Sequence, residues 1–270
     1  MVKKKLNYFI QSATLVLACS SAMIANAGIL YAVQESTDSL VSIDTNDLSI
    51  SVIGSLGTNF NFGGLAYDNN SATLYMIGGR GNNALYTVDT TTGNASLVGS
   101  HGINDLFGLT YDTTNNVLYA SQFAGGSGLY SLNTSTGFAT TINSAMANGI
   151  GGLAYDSNND KLVGMSDGAG DLYEIDRSSG SQSLLFNGSF VNDSGLTYDY
   201  DNDIYWDIDW SGNLYSYDLN TNIRTNHLSG LGSYDGLAYV STTTVPEPSS
   251  VAILSLGLAG LGLSRRRKAA

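Results

Sequence analysis

Hydrophobic and polar positions alternate in short runs along most of the chain, and the runs repeat. Gly64-Leu65-Ala66-Tyr67-Asp68 returns as Gly108-Leu109-Thr110-Tyr111-Asp112, Gly152-Leu153-Ala154-Tyr155-Asp156, Gly195-Leu196-Thr197-Tyr198-Asp199 and finally Gly236-Leu237-Ala238-Tyr239-Val240. The spacings are 44, 44, 43 and 41 residues, in the range of a four-stranded propeller blade. Inside each run the period is two. Leu and Tyr therefore share one face of a strand and the small residue takes the other, which lets neighbouring sheets approach closely. No stretch between the runs has the 3.6-residue apolar period of a helix, which excludes helical solenoids.

Each unit continues into three more strands. The second opens at Leu74-Tyr75, Leu118-Tyr119, Leu162-Val163 and Ile204-Tyr205, and the third at Leu85-Tyr86, Leu129-Tyr130, Leu172-Tyr173 and Leu214-Tyr215. A turn at 89–93, 133–137, 176–180 and 218–222 leads to the fourth. It begins with Asp or Asn, which bonds its own backbone, and ends with Gly or Asn, which tolerates positive φ. The chain ends break the pattern in a complementary way. Ile29-Leu30-Tyr31 matches a second strand, Leu40 to Asp44 a third and Ser49 to Ile53 a fourth, whereas the last copy at 236–240 has a first strand and nothing after it. Joined, the two fragments make one blade. The expectation is an all-β, single β-propeller of about five four-stranded blades over residues 28–240, closed by a blade shared between both termini and so without an open sheet edge at the junction. The repeat resembles secreted propellers of the NHL and quinoprotein-like kind. That resemblance implies the fold and no activity, since the fold hosts many.

The two ends carry addresses. Lys3, Lys4 and Lys5 precede an apolar stretch from Leu6 to Ile24, and Ala25-Asn26-Ala27 precedes Gly28. Residues 1–27 read as a signal peptide cut by signal peptidase between Ala27 and Gly28. Val16-Leu17-Ala18-Cys19 offers a competing lipoprotein-type site. Cys19 is the only cysteine, so the domain after Gly28 has no disulfide. At the other end a linker, 241–248, carries Pro246-Glu247-Pro248. An apolar run, 249–264, is expected to form a transmembrane helix of about 24 Å at 1.5 Å per residue. That is short of a ~30 Å hydrocarbon core, and snorkelling arginines cover the difference. The tail at 265–270, with Arg265, Arg266, Arg267 and Lys268, stays cytoplasmic. Pro-Glu-Pro, a short Gly-rich apolar helix and terminal arginines together resemble the PEP-CTERM sorting signal. The resemblance implies processing by an inner-membrane exosortase in a Gram-negative bacterium. It also implies a place in the cell envelope, on the outer surface or in the matrix, in company with exopolysaccharide.

Charge narrows the partners. Between residues 28 and 248 only Arg80, Lys161, Arg177 and Arg224 are cationic, against all 23 acidic residues, a net charge of −19. Such a domain repels phosphate backbones and anionic lipid, which argues against nucleic acid. Cations, neutral sugars and basic proteins remain.

No catalytic constellation emerges. The domain has no thiol, and His101 and His227 are isolated. No Gly-x-Ser-x-Gly run enters a helix, and neither zinc-ligand spacing nor a phosphate-cradling glycine loop occurs. No cofactor is expected, with Ca²⁺ the one alternative. Asp199, Asp201 and Asp203, followed by Asp207 and Asp209, could wrap carboxylates around Ca²⁺. However, Ile204 stands where an EF-hand needs Gly and Trp210 where it needs Glu, and Asp68, Asp112 and Asp156 begin equally long turns. Asp199 therefore also reads as a turn former. The loops entering each first strand, with those joining second and third strands, form the face at which propellers bind. They contribute Trp210 and Phe123 as stacking rings and Asn104, Asn148, Asp193 and Asp235 as hydrogen-bonding groups. The leading expectation is a non-enzymatic surface or matrix propeller that binds extracellular polysaccharide or an envelope protein. The alternatives are a Ca²⁺-dependent lactonase or lyase, and a purely structural scaffold.

Overall fold

In a computed structural model, residues 28–123, 126–189 and 193–242 are described, without the side chains of Asp193 and Ser194. The expected signal peptide, the Pro246-Glu247-Pro248 motif and the expected sorting helix lie outside these residues. The chain opens with β1 (Gly28–Gln34), a 3-10 turn at Glu35–Thr37, β2 (Ser39–Asp44) and β3 (Ile50–Ser55). Four complete sheets follow. They are β4 (Gly64–Asp68) to β7 (Ala95–Ser100), β8 (Leu106–Asp112) to β11 (Ala139–Asn143), β12 (Ile150–Asp156) to β15 (Gln182–Phe186), and β16 (Asp193–Asp199) to β19 (Ile223–Leu228). The last strand, β20 (Tyr234–Ser241), returns to pair with β1, giving the sheet order β20-β1-β2-β3. The molecule is thus a five-bladed propeller whose ring is closed by a shared blade. Gly28 pairs with Ser241, Tyr31 with Ala238 and Gln34 with Tyr234 in that closing ladder.

The period-two pattern explains how the blades stack. Leu65 packs with Val33, Leu40 and Ala238 of the closing blade. Its neighbour Ala66 faces the other way and receives Leu109 of the next blade. The same arrangement recurs where Ala154 meets Leu196 and Tyr198. Each inner strand therefore drives a Leu-Tyr wedge into the preceding blade and offers a small residue to the following one. Each fully buried Leu of this kind contributes very roughly 1.5–3 kcal/mol.

At the glycine end the inner strands converge on the axis. A Cβ on Gly64 would lie 2.3 Å from the Phe107 carbonyl oxygen, and one on Gly195 would lie 2.8 Å from the backbone of Gly236. No side chain fits there, which is why the repeat begins with Gly. Leu65, Leu109, Leu153, Leu196 and Leu237 close around the axis and leave no water-sized space between them. The axis is a plug, and the loop face above it is a floor.

The Asp that ends each of the first four runs is buried and occupied. Asp112 accepts the backbone N–H of Thr114 and Asn115 and the Asn115 amide, and Asp156 does the same with Asn158 and Asn159. These are Asx turns that set the inner hairpins. The remaining lone pairs tie blades together. Arg177 donates to Asp112 at 2.6 Å, and the Tyr205 hydroxyl donates to Asp156 at 2.8 Å. Burial, with Asp156 next in effect, pushes the Tyr205 phenol well above its ordinary range.

Candidate functional site

Inner strands run from the glycine end to the aspartate end. Gly28 and Ser241 face each other at the aspartate end, so both termini of the described chain leave from it. The loops carrying Trp210, Phe123 and Asn104 lie at the other end. The candidate binding face thus points away from the side where the tail begins.

On that face four aromatic rings form one continuous row. Trp210 stacks on Phe62 with centroids 5.8 Å apart and planes 26° apart. Phe62 meets Phe107 edge to face at 6.1 Å, and Phe107 meets Phe123 at 6.0 Å. Phe123 in turn lies so close over Gly149 that a Cβ there would sit 2.7 Å from its ring. The row therefore runs from the β16–β19 blade, past the axis, to the loop entering β12. Trp210 is 43% exposed and Phe123 37%, while Phe107 is 6% exposed and belongs to the axial floor.

Local geometry holds the row in place. Phe62 adopts φ of 55°, a left-handed conformation that costs a non-glycine residue energy. Its N–H donates to Glu35 Oε1 at 2.6 Å, and Trp210 Nε1 donates to Glu35 Oε2 at 3.1 Å. One carboxylate from the closing blade thus orients both rings of the stacked pair. Arg80 completes the group, with its guanidinium carbon 4.8 Å from the Phe62 centroid and 5.8 Å from that of Phe107.

The other expected residues are distributed unevenly. Asn104 is at the row's edge, where its carbonyl accepts Gln122 Nε2 and its Oδ1 accepts Asn83 Nδ2. Asn148 turns outward, and its N–H and amide both donate to Gln182 Oε1. Asp193 opens β16 opposite Asp209. Asp235 is buried, and its carboxylate accepts the N–H of Gly236. Asp199, Asp201 and Asp203 lie at the opposite end of the molecule and diverge. Asp199 holds its own turn and Trp206 Nε1, Asp201 accepts the Tyr239 hydroxyl, and Asp203 accepts the Tyr198 hydroxyl and the Asn220 amide. Among the described residues no three such side chains converge as metal ligands. On the outer strands Ser216 Oγ and His227 Nε2 are 2.8 Å apart, but among the described residues no carboxylate bonds this imidazole.

Neither Phe107 nor Phe62 is singled out by the sequence. Their signal is deviation from the repeat. Phe107 fills the position before the run's glycine, where the other copies carry Gly63, Gly151, Ser194 and Asp235.

Residues 244–268 match the model of the PEP-CTERM protein-sorting motif. The chain is a propeller that carries a PEP-CTERM sorting motif. The motif begins two residues beyond the last described one, and it implies export to the cell envelope of a Gram-negative bacterium and exosortase-type processing. No curated protein matches the chain. Among solved structures, the sorted propeller is similar to a chain in the crystal structure of a nidogen/laminin complex. The TM-score is 0.56 at 13% identity, covering 78% of this chain and 80% of that one. It is also similar to a structural-genomics protein of unknown function from Bacteroides thetaiotaomicron. Here the TM-score is 0.55 at 17% identity, covering 77% of this chain and 57% of that one. These likenesses show the fold alone.

Proposed function

We propose that the sorted propeller is a non-enzymatic envelope or matrix protein whose loop face binds an extracellular polysaccharide. The observation that carries this reading is the aromatic row on the face opposite the chain ends. Sugar rings present apolar C–H faces, and an exposed aromatic face removes them from water. Such a contact is worth very roughly 1–3 kcal/mol when well covered. Trp210 offers a half-exposed face already held by Phe62 behind it and Glu35 at its edge, so little ordering entropy is lost on binding. The flat floor above a plugged axis suits a long chain lying across the face better than a small molecule entering a pit.

The test is the affinity of the purified domain for the polysaccharide of its own host. Trp210→Ala is expected to weaken binding about tenfold or more with little change in melting temperature. The turn variant Asp89→Ala serves as the control on the opposite end. Equal binding by all three proteins removes this face as the site, and no binding by the wild type favours a scaffold role.

A further inference from the structure

Four cations stand among the described residues, and three are engaged. Lys161 pairs with Glu174 at 3.0 Å, and Arg177 pairs with Asp112 and Asp160. Arg224 lies over Tyr215 and donates to the Ser189 carbonyl. Arg80 differs. Among the described residues its guanidinium has no carboxylate within 4 Å and no hydrogen-bond acceptor, yet it is held against two rings of the aromatic row. In a domain with 22 acids available, an unpaired arginine held against two rings of the candidate site is a specific arrangement.

We infer that Arg80 receives a carboxylate of the bound glycan, and that the ligand is a heteropolysaccharide in which uronic acids alternate with neutral sugars. This rests on the glycan-binding reading above. A guanidinium lying on an aromatic face keeps its in-plane N–H donors free, and their fork matches a carboxylate. Phe62 touches both Trp210 and Arg80, so the stacking ring and the guanidinium sit within one ring of each other. A neutral ring stacked on Trp210 therefore brings the acid group of its neighbour towards Arg80. The domain's net charge of −19 disfavours a polymer charged on every residue. Repulsion beyond roughly 8 Å is largely screened at physiological salt, whereas the contact pair is not. One isolated carboxylate per contact satisfies both conditions.

The experiment measures affinity for an alternating glucuronate–N-acetylglucosamine tetrasaccharide and for the same tetrasaccharide with its carboxyl groups reduced to alcohols. The wild type is expected to prefer the acidic form about tenfold. Arg80→Gln is expected to abolish that preference by weakening the acidic form about tenfold more than the reduced form, and Arg80→Lys to retain part of it. Melting curves establish that the variants fold. Equal affinity for the two forms, or equal losses on both from Arg80→Gln, overturns the role of Arg80 and leaves the glycan reading standing. No binding of either form by the wild type, together with no binding of the host polysaccharide, overturns both.

Discussion

The two ends of the propeller are built on opposite principles. At the aspartate end the blades are near copies. Asp68, Asp112, Asp156 and Asp199 each fold back on the N–H two residues on, and Asp89, Asn133, Asp176 and Asp218 do the same in the outer hairpins. At the glycine end the blades differ. One supplies Trp210, another Phe107 and Phe123, and the closing blade supplies Glu35. Repetition at one end and divergence at the other separate what every blade needs in order to fold from what only one ligand would need. The common hairpins hold the ring, and the unlike loops make a single asymmetric surface across it.

The largest effect should come from breaking the ring itself. Removing residues 29–54 takes away β1, β2 and most of β3, leaving β20 without a partner and exposing the flanks of two blades. Unpaired edges of this kind template aggregation. The truncated domain is expected to aggregate or to melt far below the intact one, measured by light scattering and thermal unfolding. A monomer with an unchanged melting curve would show that the shared blade is dispensable.

A smaller effect, confined to the repeated end, should follow from Asp156→Ala. The substitution strips acceptors from the N–H groups of Asn158 and Asn159, from the Asn159 amide and from the buried Tyr205 hydroxyl. Leaving the buried Tyr205 donor unpaired and loosening the turn together cost about 2–3 kcal/mol. For a domain of this size that lowers the melting temperature by about 5–10 °C. Glycan affinity should not change, because the lesion lies at the far end from Trp210. Trp210→Ala should give the reverse result. If both variants lose stability and binding together, the two ends are not independent.

This division also explains what the sequence made legible. The hairpins, blade count and shared blade are local patterns repeated several times, so alternation and turn residues suffice to read them. The aromatic row depends on contacts between unlike loops remote in sequence, and no periodicity reports that Phe62 meets Trp210. Trp210 and Phe123 were visible as large rings in polar loops. Asn148 lies in the loop entering β12, as its position in the repeat implies, but the sequence does not show that its donors are taken up by an outer strand. Asn148 is drawn onto Gln182 there, just as Ala95 donates its N–H to Leu56. The carboxylates of Asp199, Asp201 and Asp203 look convergent in sequence but are separated by the hairpin they build.

The last effect concerns acid, and it separates the two ends by pH. His101, at the head of a glycine-end loop, is 2% exposed. Its Nδ1 accepts the Ile103 N–H at 3.3 Å, and Nε2 has no partner among the described residues. Burial lowers its pKa from 6.5 to about 4. The unfolded chain therefore binds this proton first, and stability present above pH 6.5 is lost progressively as pH falls towards 4, by at most about 3 kcal/mol. The hairpin carboxylates respond later. Hydrogen bonds from Thr91 and Thr92 lower the pKa of Asp89, and those from Ser178 and Ser179 lower that of Asp176, both from 3.8. Their contribution is intact above pH 4 and is lost only as the pH falls through those depressed values. Melting temperature followed from pH 7 to pH 3 should thus decline in two stages. His101→Asn keeps an acceptor for the Ile103 N–H and removes one titrating ring, so it should shrink the stage below pH 6.5 to the part that burial of His227 contributes, and leave the lower one untouched. A variant profile that falls between pH 6.5 and 4 as steeply as the wild type would assign that stage to groups other than His101.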